Sequence, residues 1–149
     1  MRKRIAERMT QSYQSIPHIK FTSRVDMSNF NAARKEMNLR AEKNGEQKIS
    51  ATALFVKIIS LTVKRHPWLN SSITEDSVLL HNQVNMGIAV ALDDGLIVPV
   101  IKNADLKSVS QLAAEVVDLA GRAREGKLAS TDVKGGTFTI SNLGPFGVE

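Results

Sequence analysis

Val84-Asn85-Met86-Gly87-Ile88-Ala89-Val90-Ala91-Leu92 decides the fold class of this chain. Val84, Met86, Ile88, Val90 and Leu92 alternate with small or polar residues, the period of two that marks a strand with one buried face. The intervening Gly87, Ala89 and Ala91 are small, which predicts close packing on the opposite face as well. Asp93-Asp94-Gly95 is turn chemistry. Leu96 to Ile101 reads as a further strand, and Pro99 within it, having no N–H to give a ladder, belongs at an edge or a bulge.

On the N-terminal side, Ser72–Glu75 and Val78–His81 read as a short hairpin turning near Glu75-Asp76-Ser77. Before it, Ser50 caps a helix from Ala51 to Arg65 whose Leu54, Phe55, Val56, Ile58, Ile59, Leu61 and Val63 surround most of the axis. A helix apolar nearly all round is normally buried, so this one is expected to be the central core helix. Asp26 and Ser28 are capping types ahead of a helix with the stripe Phe30, Ala33, Met37 and Ala41, stopped at Gly45. Ile5, Met9, Tyr13 and Ile16 mark one face of an amphipathic helix over residues 2–16, ended by Pro17. Ile19, Phe21 and Val25 alternate with Lys20, Thr22 and Arg24, which predicts a half-buried strand.

On the C-terminal side, Ser108 and Gln111 have capping-box spacing. The helix they open carries Val109, Leu112, Ala113, Val116, Ala120 and Ala123 on one face and closes before Gly126. Thr137 to Ser141 is the last predicted strand, with Phe138 and Ile140 inward, and Asn142 to Glu149 follows as a turn. Helices and strands mix without strict alternation, which makes the class α+β, helices covering a mixed sheet.

Composition narrows the function classes. The 149 residues are 42% hydrophobic and 23% charged, enough for one domain with a real core. No apolar run approaches the ~18 residues of a spanning helix, and Met1-Arg2-Lys3-Arg4 does not lead into the apolar run of a secretory signal, so no membrane partner is expected. The absence of cysteine excludes a disulfide scaffold, a thiolate metal site and a cysteine nucleophile on these residues. Lys and Arg number 20 against 15 acids, but the bases are scattered beside acids and aromatics are only 5%, so nucleic acid is not an expected partner.

Common catalytic signatures are missing: there is no Walker loop, dinucleotide fingerprint, zincin motif or nucleophile elbow. His18, His66 and His81 lack metal-ligand spacing, and no metal is expected. Each histidine has a structural reading: His18 opening a strand, His66 ending a helix, His81 ending a hairpin strand.

The order of local strings, however, resembles the catalytic core of the dihydrolipoamide acyltransferases, the second components of 2-oxo acid dehydrogenase complexes. The strings are Arg2-Lys3-Arg4-Ile5-Ala6-Glu7-Arg8-Met9, Ile16-Pro17-His18, Val25-Asp26-Met27, His66-Pro67-Trp68-Leu69-Asn70-Ser71-Ser72, Val84 to Val90, Asp94 to Ile101 and Gly135-Gly136-Thr137-Phe138-Thr139-Ile140-Ser141-Asn142-Leu143-Gly144. The resemblance covers essentially the whole chain. It implies a chloramphenicol-acetyltransferase-like fold, an α/β two-layer sandwich, and an acyl transfer between dihydrolipoamide and coenzyme A. It implies a homotrimer assembling into a larger oligomeric core. The lipoyl group would be delivered by a lipoyl domain not on this chain, and the decarboxylase and dihydrolipoamide dehydrogenase components would be partners. The expected compartment is the cytoplasm, or the mitochondrial matrix in a eukaryote.

Acyl transfer needs a base near neutrality and a fixed donor for the oxyanion. In the family the base is the histidine of a His-x-x-x-Asp-Gly motif, and the donor is a serine or threonine hydroxyl in the Thr-Ile-Ser-Asn-Leu-Gly region. The resemblance therefore implies Ser141 as catalytic residue, with Asn142 and Gly144 shaping the same turn, and Arg4, with Arg2, Lys3 and Arg8, as a candidate for coenzyme A phosphates. Asp94-Gly95 is read as structure lining the substrate channel. The base motif is absent: Thr22, Asn70 and Asn85 stand four residues after the three histidines, and Val90 four before Asp94. The expectation is that residues 1–149 form the N-terminal and central part of one core domain, without lipoyl and subunit-binding domains, incomplete at the C-terminus and inactive alone. The alternatives are a non-catalytic assembly subunit of the same fold, or a coenzyme A-dependent acetyltransferase with a small acceptor.

Overall fold

The computed structural model describes residues 2–93, 95–144 and 147. Its helices are α1 (Arg2–Ser15), α2 (Ser28–Lys43), α3 (Ala51–Arg65) and α4 (Val109–Arg124). Its strands are β1 (Ser71–Ile73), β2 (Val78–Leu80), β3 (Met86–Ile88), β4 (Val90–Leu92), β5 (Gly95–Ile97), β6 (Val100–Ile101) and β7 (Phe138–Ile140). The α+β class expected from the sequence is what the chain adopts.

The long helices start where their caps stand. Ser50 Oγ accepts from the Ala53 N–H at 3.1 Å to open α3. At α4 both arms of the capping box form: the Gln111 N–H donates to Ser108 Oγ at 3.2 Å and the Ser108 N–H to Gln111 Oε1 at 2.8 Å. Each arm satisfies a backbone donor the helix itself leaves unpaired. The helix α4 then ends on Gly126, whose φ of +68° suits a residue without Cβ.

The sheet that matters is three-stranded, in the order β6-β3-β7. Strand β3 pairs antiparallel with β6 (Gly87↔Val100) and parallel with β7 (Met86↔Phe138, Gly87↔Thr139, Ile88↔Ile140). Helices α3 and α4 pack on each other and cover this sheet. Between the layers lie Val56 and Val63 of α3, Leu112 of α4, and Val84, Met86 and Ile101 from the sheet side, all fully buried. Burial of one such side chain stabilises by roughly 1.5–3 kcal/mol. The small second face of β3 is used as expected: a Cβ on Gly87 would lie 2.8 Å from Val98 Cγ1 and 3.0 Å from Thr139 Oγ1.

Several sequence expectations are corrected. Residues 19–25 form no strand, and Ile19, Phe21 and Val25 are exposed by 70% or more. Among the described residues their alternation finds no surface to bury against. The helix over 2–16 forms as α1, yet no residue of it is buried. The expected strand 84–92 is two strands, because the chain leaves the β6-β3-β7 sheet after Ile88 and pairs as β4 with β5. The strand 96–101 likewise breaks at Val98-Pro99. Pro99 offers only its carbonyl, which accepts from the Ile88 N–H at 2.9 Å, so the ladder lapses there. Asp26 is not the residue that caps α2. Met27 holds that position without a side-chain bond, while Asp26 Oδ1 accepts from the Ser28 hydroxyl at 2.6 Å and the Ser28 N–H at 2.8 Å. Those two donors, the hydroxyl foremost, hold the Asp26 carboxyl below its ordinary range. Helix α3 is central but not buried all round: Ile58 and Leu61 are 49% and 40% exposed. Asp94, and Pro145, Phe146, Val148 and Glu149 of the terminal turn, lie outside the described residues.

Candidate active site

Ser141 follows directly on β7, and its neighbours on both sides are anchored. Before it, the Ile140 carbonyl accepts from the Ala89 N–H at 3.0 Å, the last rung between the sheet and β7. After it, the Asn142 side chain is held at both ends. Its Nδ2 donates to Thr52 Oγ1 at 3.2 Å, and its Oδ1 accepts from the Gly144 N–H at 3.1 Å. The second bond closes a turn of the kind Asn side chains make with backbone two residues on. Ser141 itself is exposed, and it takes part in none of the side-chain hydrogen bonds among the described residues. A free hydroxyl on a fixed backbone is what donation to a developing oxyanion requires.

Register upstream is set by Asn85, which is only 8% exposed. Its Nδ2 donates to the Gly135 carbonyl at 2.9 Å and its Oδ1 accepts from the Asn103 N–H at 3.0 Å. Its backbone N–H donates to Thr137 Oγ1 at 3.1 Å, and its carbonyl accepts from the Thr137 N–H at 2.8 Å. The approach to β7 is thereby tied to the start of β3 and to Asn103, which sits at a left-handed φ of +49°. One buried amide thus fixes where the strand bearing Ser141 begins.

Thr52 and Asn142 both line a cleft of 530 Å³ walled by Ile88, Val90 and Val116, with Arg124 contributing a cation. Thr52 lies in the first turn of α3, the positive end of that helix dipole. The cleft therefore combines an apolar wall with positive electrostatics beside the Ser141 turn. A second cleft, of 640 Å³, lies along α2 among Arg34, Lys35, Asn38, Glu42 and Lys48 and contains none of the sequence-predicted site residues.

The other predicted residues are not gathered at this turn. Arg4 is exposed on α1, and among the described residues no hydrogen bond or ion pair joins it to Ser141, Asn142 or Gly144. His18 stacks on Tyr13 with ring centroids 6.2 Å apart, and its Nε2 lies 3.5 Å from Ser12 Oγ. His81 Nε2 lies 2.8 Å from Ser72 Oγ across the β1–β2 hairpin. His66 is exposed and its backbone N–H closes the end of α3. Among the described residues none of the three bonds to the Ser141 turn; His66 and His81 stand just past the ends of α3 and β2 as expected, whereas His18, expected to open a strand, precedes residues that form none. Among the described residues no cluster of three or more His, Cys, Asp or Glu is arranged to hold a metal, and no helix is long and apolar enough to cross a membrane. Sequence reasoning missed Thr52 and Asn85. Thr52 left no distinguishing signal, since α3 also carries Lys57, Ser60, Thr62, Lys64 and Arg65, and nothing local named its partner.

The strand, the serine at its end and the clamped Asn-Leu-Gly turn agree with the family suggested by the sequence strings. The family model for the catalytic domain of the 2-oxoacid dehydrogenases acyltransferases matches residues 1–149. The chain belongs to this family. It is 39% identical over 147 residues to the lipoamide acyltransferase component of the branched-chain alpha-keto acid dehydrogenase complex of Bacillus subtilis, covering 99% of this chain and 35% of that protein. It superposes with a TM-score of 0.93, at 36% identity, on the Azotobacter vinelandii dihydrolipoamide acetyltransferase, a structure concerned with the role of a serine, a histidine and an asparagine in catalysis. That match covers 99% of this chain and 61% of the other. The cubic core of a pyruvate dehydrogenase multienzyme complex matches with a TM-score of 0.93 at 35% identity, over 99% and 61% of the two chains. This acyltransferase-family chain thus spans about a third of the length of the first curated relative and about three fifths of the solved cores.

Proposed function

We propose that residues 1–149 are the N-terminal and central part of an acyltransferase core that moves an acyl group between dihydrolipoamide and coenzyme A, and that Ser141 is its oxyanion donor. The observation that carries this reading is the Ser141 hydroxyl, unbonded among the described residues and held between the Ala89–Ile140 rung and the Thr52–Asn142 bond. A serine is also among the residues whose catalytic role the Azotobacter relative's structure addresses.

The reaction balances simply. The coenzyme A thiol gives its proton to a base as sulfur attacks the thioester carbon of the acylated dihydrolipoamide. The carbonyl oxygen takes the negative charge, and the Ser141 O–H donates to it. Collapse breaks the bond to the dihydrolipoamide sulfur, which recovers the proton. An imidazole suits the base. The His18 and His81 rings lie against Ser12 and Ser72, and His66 stands at the end of α3; among the described residues none is bonded to the turn. The base is therefore assigned to the His-x-x-x-Asp-Gly motif of the family, in the part of the core domain beyond these residues.

In the same reading Gly144 shapes the turn, and Arg4, Arg2, Lys3 and Arg8 on α1 supply cations for the coenzyme A phosphates. Trimers build a larger core that receives lipoyl domains and works with decarboxylase and dihydrolipoamide dehydrogenase components, in the bacterial cytoplasm or the mitochondrial matrix.

The test is a transfer assay with dihydrolipoamide and acetyl-, succinyl- and branched-chain acyl-coenzyme A, run on the 149-residue chain and on the complete domain in parallel. Turnover by the complete domain and none by the short chain is expected. Turnover by the short chain at the full rate would return the base to one of the three histidines. No turnover by either would favour the assembly-subunit reading.

A further inference from the structure

We propose that Thr52 is a positioning residue for Ser141, acting through Asn142; the proposal rests on the reading of Ser141 as the oxyanion donor. The hydrogen bond from Asn142 Nδ2 to Thr52 Oγ1 spans 90 residues and links the Ser141 turn to the helical layer. On its other side Ser141 is anchored through Ile140 to the sheet layer. Ser141 therefore sits where the two layers are tied together, one residue from each tie.

The geometry makes the helix-side tie the sensitive one. The sheet-side tie belongs to the β3–β7 pairing, with register contacts from Met86↔Phe138 to Ile88↔Ile140 behind it. The helix-side tie is one side-chain bond. Asn142 is half-buried and its Oδ1 is already taken by the Gly144 N–H, so the amide stays oriented only while both ends are held. Thr52 is half-buried in the first turn of α3, a helix pinned by the Ser50 cap and by the buried Ala53 and Val56 beside it. A β-branched side chain there has few rotamers, so its hydroxyl is a stiff acceptor. Oxyanion donors work only when held within about 0.5 Å of the productive position. Asn142, read from the sequence as a residue shaping the turn, thereby becomes the link through which Thr52 sets where the Ser141 hydroxyl stands.

The experiment uses the complete, assembled catalytic domain and compares Thr52→Val, Thr52→Ser, Ser141→Ala and the Thr52→Val/Ser141→Ala double variant. Thr52→Val keeps the shape and removes the acceptor. It should lower kcat about three- to tenfold, the size of one neutral hydrogen bond, while KM for coenzyme A stays within about twofold. Thr52→Ser should recover most of the rate. Adding Thr52→Val to Ser141→Ala should cost nothing further, because a misplaced hydroxyl matters only while the hydroxyl exists. Amide exchange at Gly144 should quicken in Thr52→Val and recover in Thr52→Ser. If Thr52→Val does not assemble, Thr52→Ala against Thr52→Ser makes the same comparison. The proposal is overturned if Ser141→Ala is severely slowed while Thr52→Val is normal, or if Thr52→Val slows both backgrounds equally. A normal rate for Ser141→Ala would instead remove the reading of Ser141, and this proposal with it.

Discussion

The Asn85 side-chain amide donates to the Gly135 carbonyl at 2.9 Å across 50 residues of chain, joining the start of β3 to the loop that delivers β7. That bond, with the Asn103 N–H on the other end of the same amide, turns a parallel strand pairing, which no tight turn can enforce, into one with a fixed register.

Asn85→Ala is expected to destabilise the fold out of proportion to its size. It removes two hydrogen bonds made by a buried side chain, to the half-buried Asn103 N–H and to the exposed Gly135 carbonyl, and each such bond contributes roughly 0.5–1.5 kcal/mol. Denaturant titration measures the loss, and amide exchange in β7 shows where it falls. A change under about 0.5 kcal/mol would mean that water replaces both bonds and that register is held elsewhere.

Gly87→Ala should also destabilise, by overpacking. The added methyl would meet Val98 Cγ1 at 2.8 Å and Thr139 Oγ1 at 3.0 Å, closer than ordinary contact. Forcing a methyl into a packed site costs about 1–3 kcal/mol. A thermal melt of Gly87→Ala against the parent decides it. Gly87→Ala combined with Val98→Ala should recover part of the loss, since the nearer clash is relieved.

The loop before β7 gives the chain an acid limb. Arg122 pairs with Asp132 at 2.5 Å and with Asp118 at 2.8 Å, and the Ala129 N–H donates to Asp132 at 2.8 Å. Arg122 first, and the Ala129 N–H second, hold the Asp132 carboxyl below its ordinary range. A depressed carboxyl adds stability that is present above its unfolded pKa of about 3.9 and is lost as pH falls through the lower folded value. Stability should therefore decline below about pH 4, and Asp132→Asn should flatten that part of the curve. Parallel limbs for parent and variant would contradict the assignment.

Exposed apolar surface should make the 149-residue chain associate. Ile73, Val78, Leu79 and Leu80 of the hairpin, with Trp68 and Leu69 beside them, are each 42% exposed or more. Strand β7 is at one edge of its sheet, and its far side pairs with no described strand. Patches and edges of this kind recruit other chains. Light scattering and hydrophobic-dye binding should both rise with concentration. A dye-silent monomer that melts cooperatively would count against it.

What the sequence made legible follows from how local each signal is. Ser50 and the Ser108/Gln111 pair announced α3 and α4 because a cap is satisfied within three residues. The hairpin was readable for the same reason. The run from Val84 to Leu92 looked like one strand because alternation cannot report a change of partner, and the transfer of β4 to β5 leaves no mark on the pattern. The alternation at Ile19, Phe21 and Val25 signalled burial that the described residues do not provide. At the site, Ser141, Asn142 and Gly144 were legible as one string. Thr52 was not, since its partner is 90 residues away.

The most direct test of the account is kcat and KM for coenzyme A in Ser141→Ala, made in the complete, assembled domain. An oxyanion donor acts mainly in the transition state, so its loss lowers kcat and leaves ground-state binding alone. A fall in kcat of about 10²–10³ with KM nearly unchanged is predicted, and Ser141→Thr should retain part of the rate because it keeps a hydroxyl. A Ser141→Ala domain that assembles and turns over at the parent's rate would contradict the assignment.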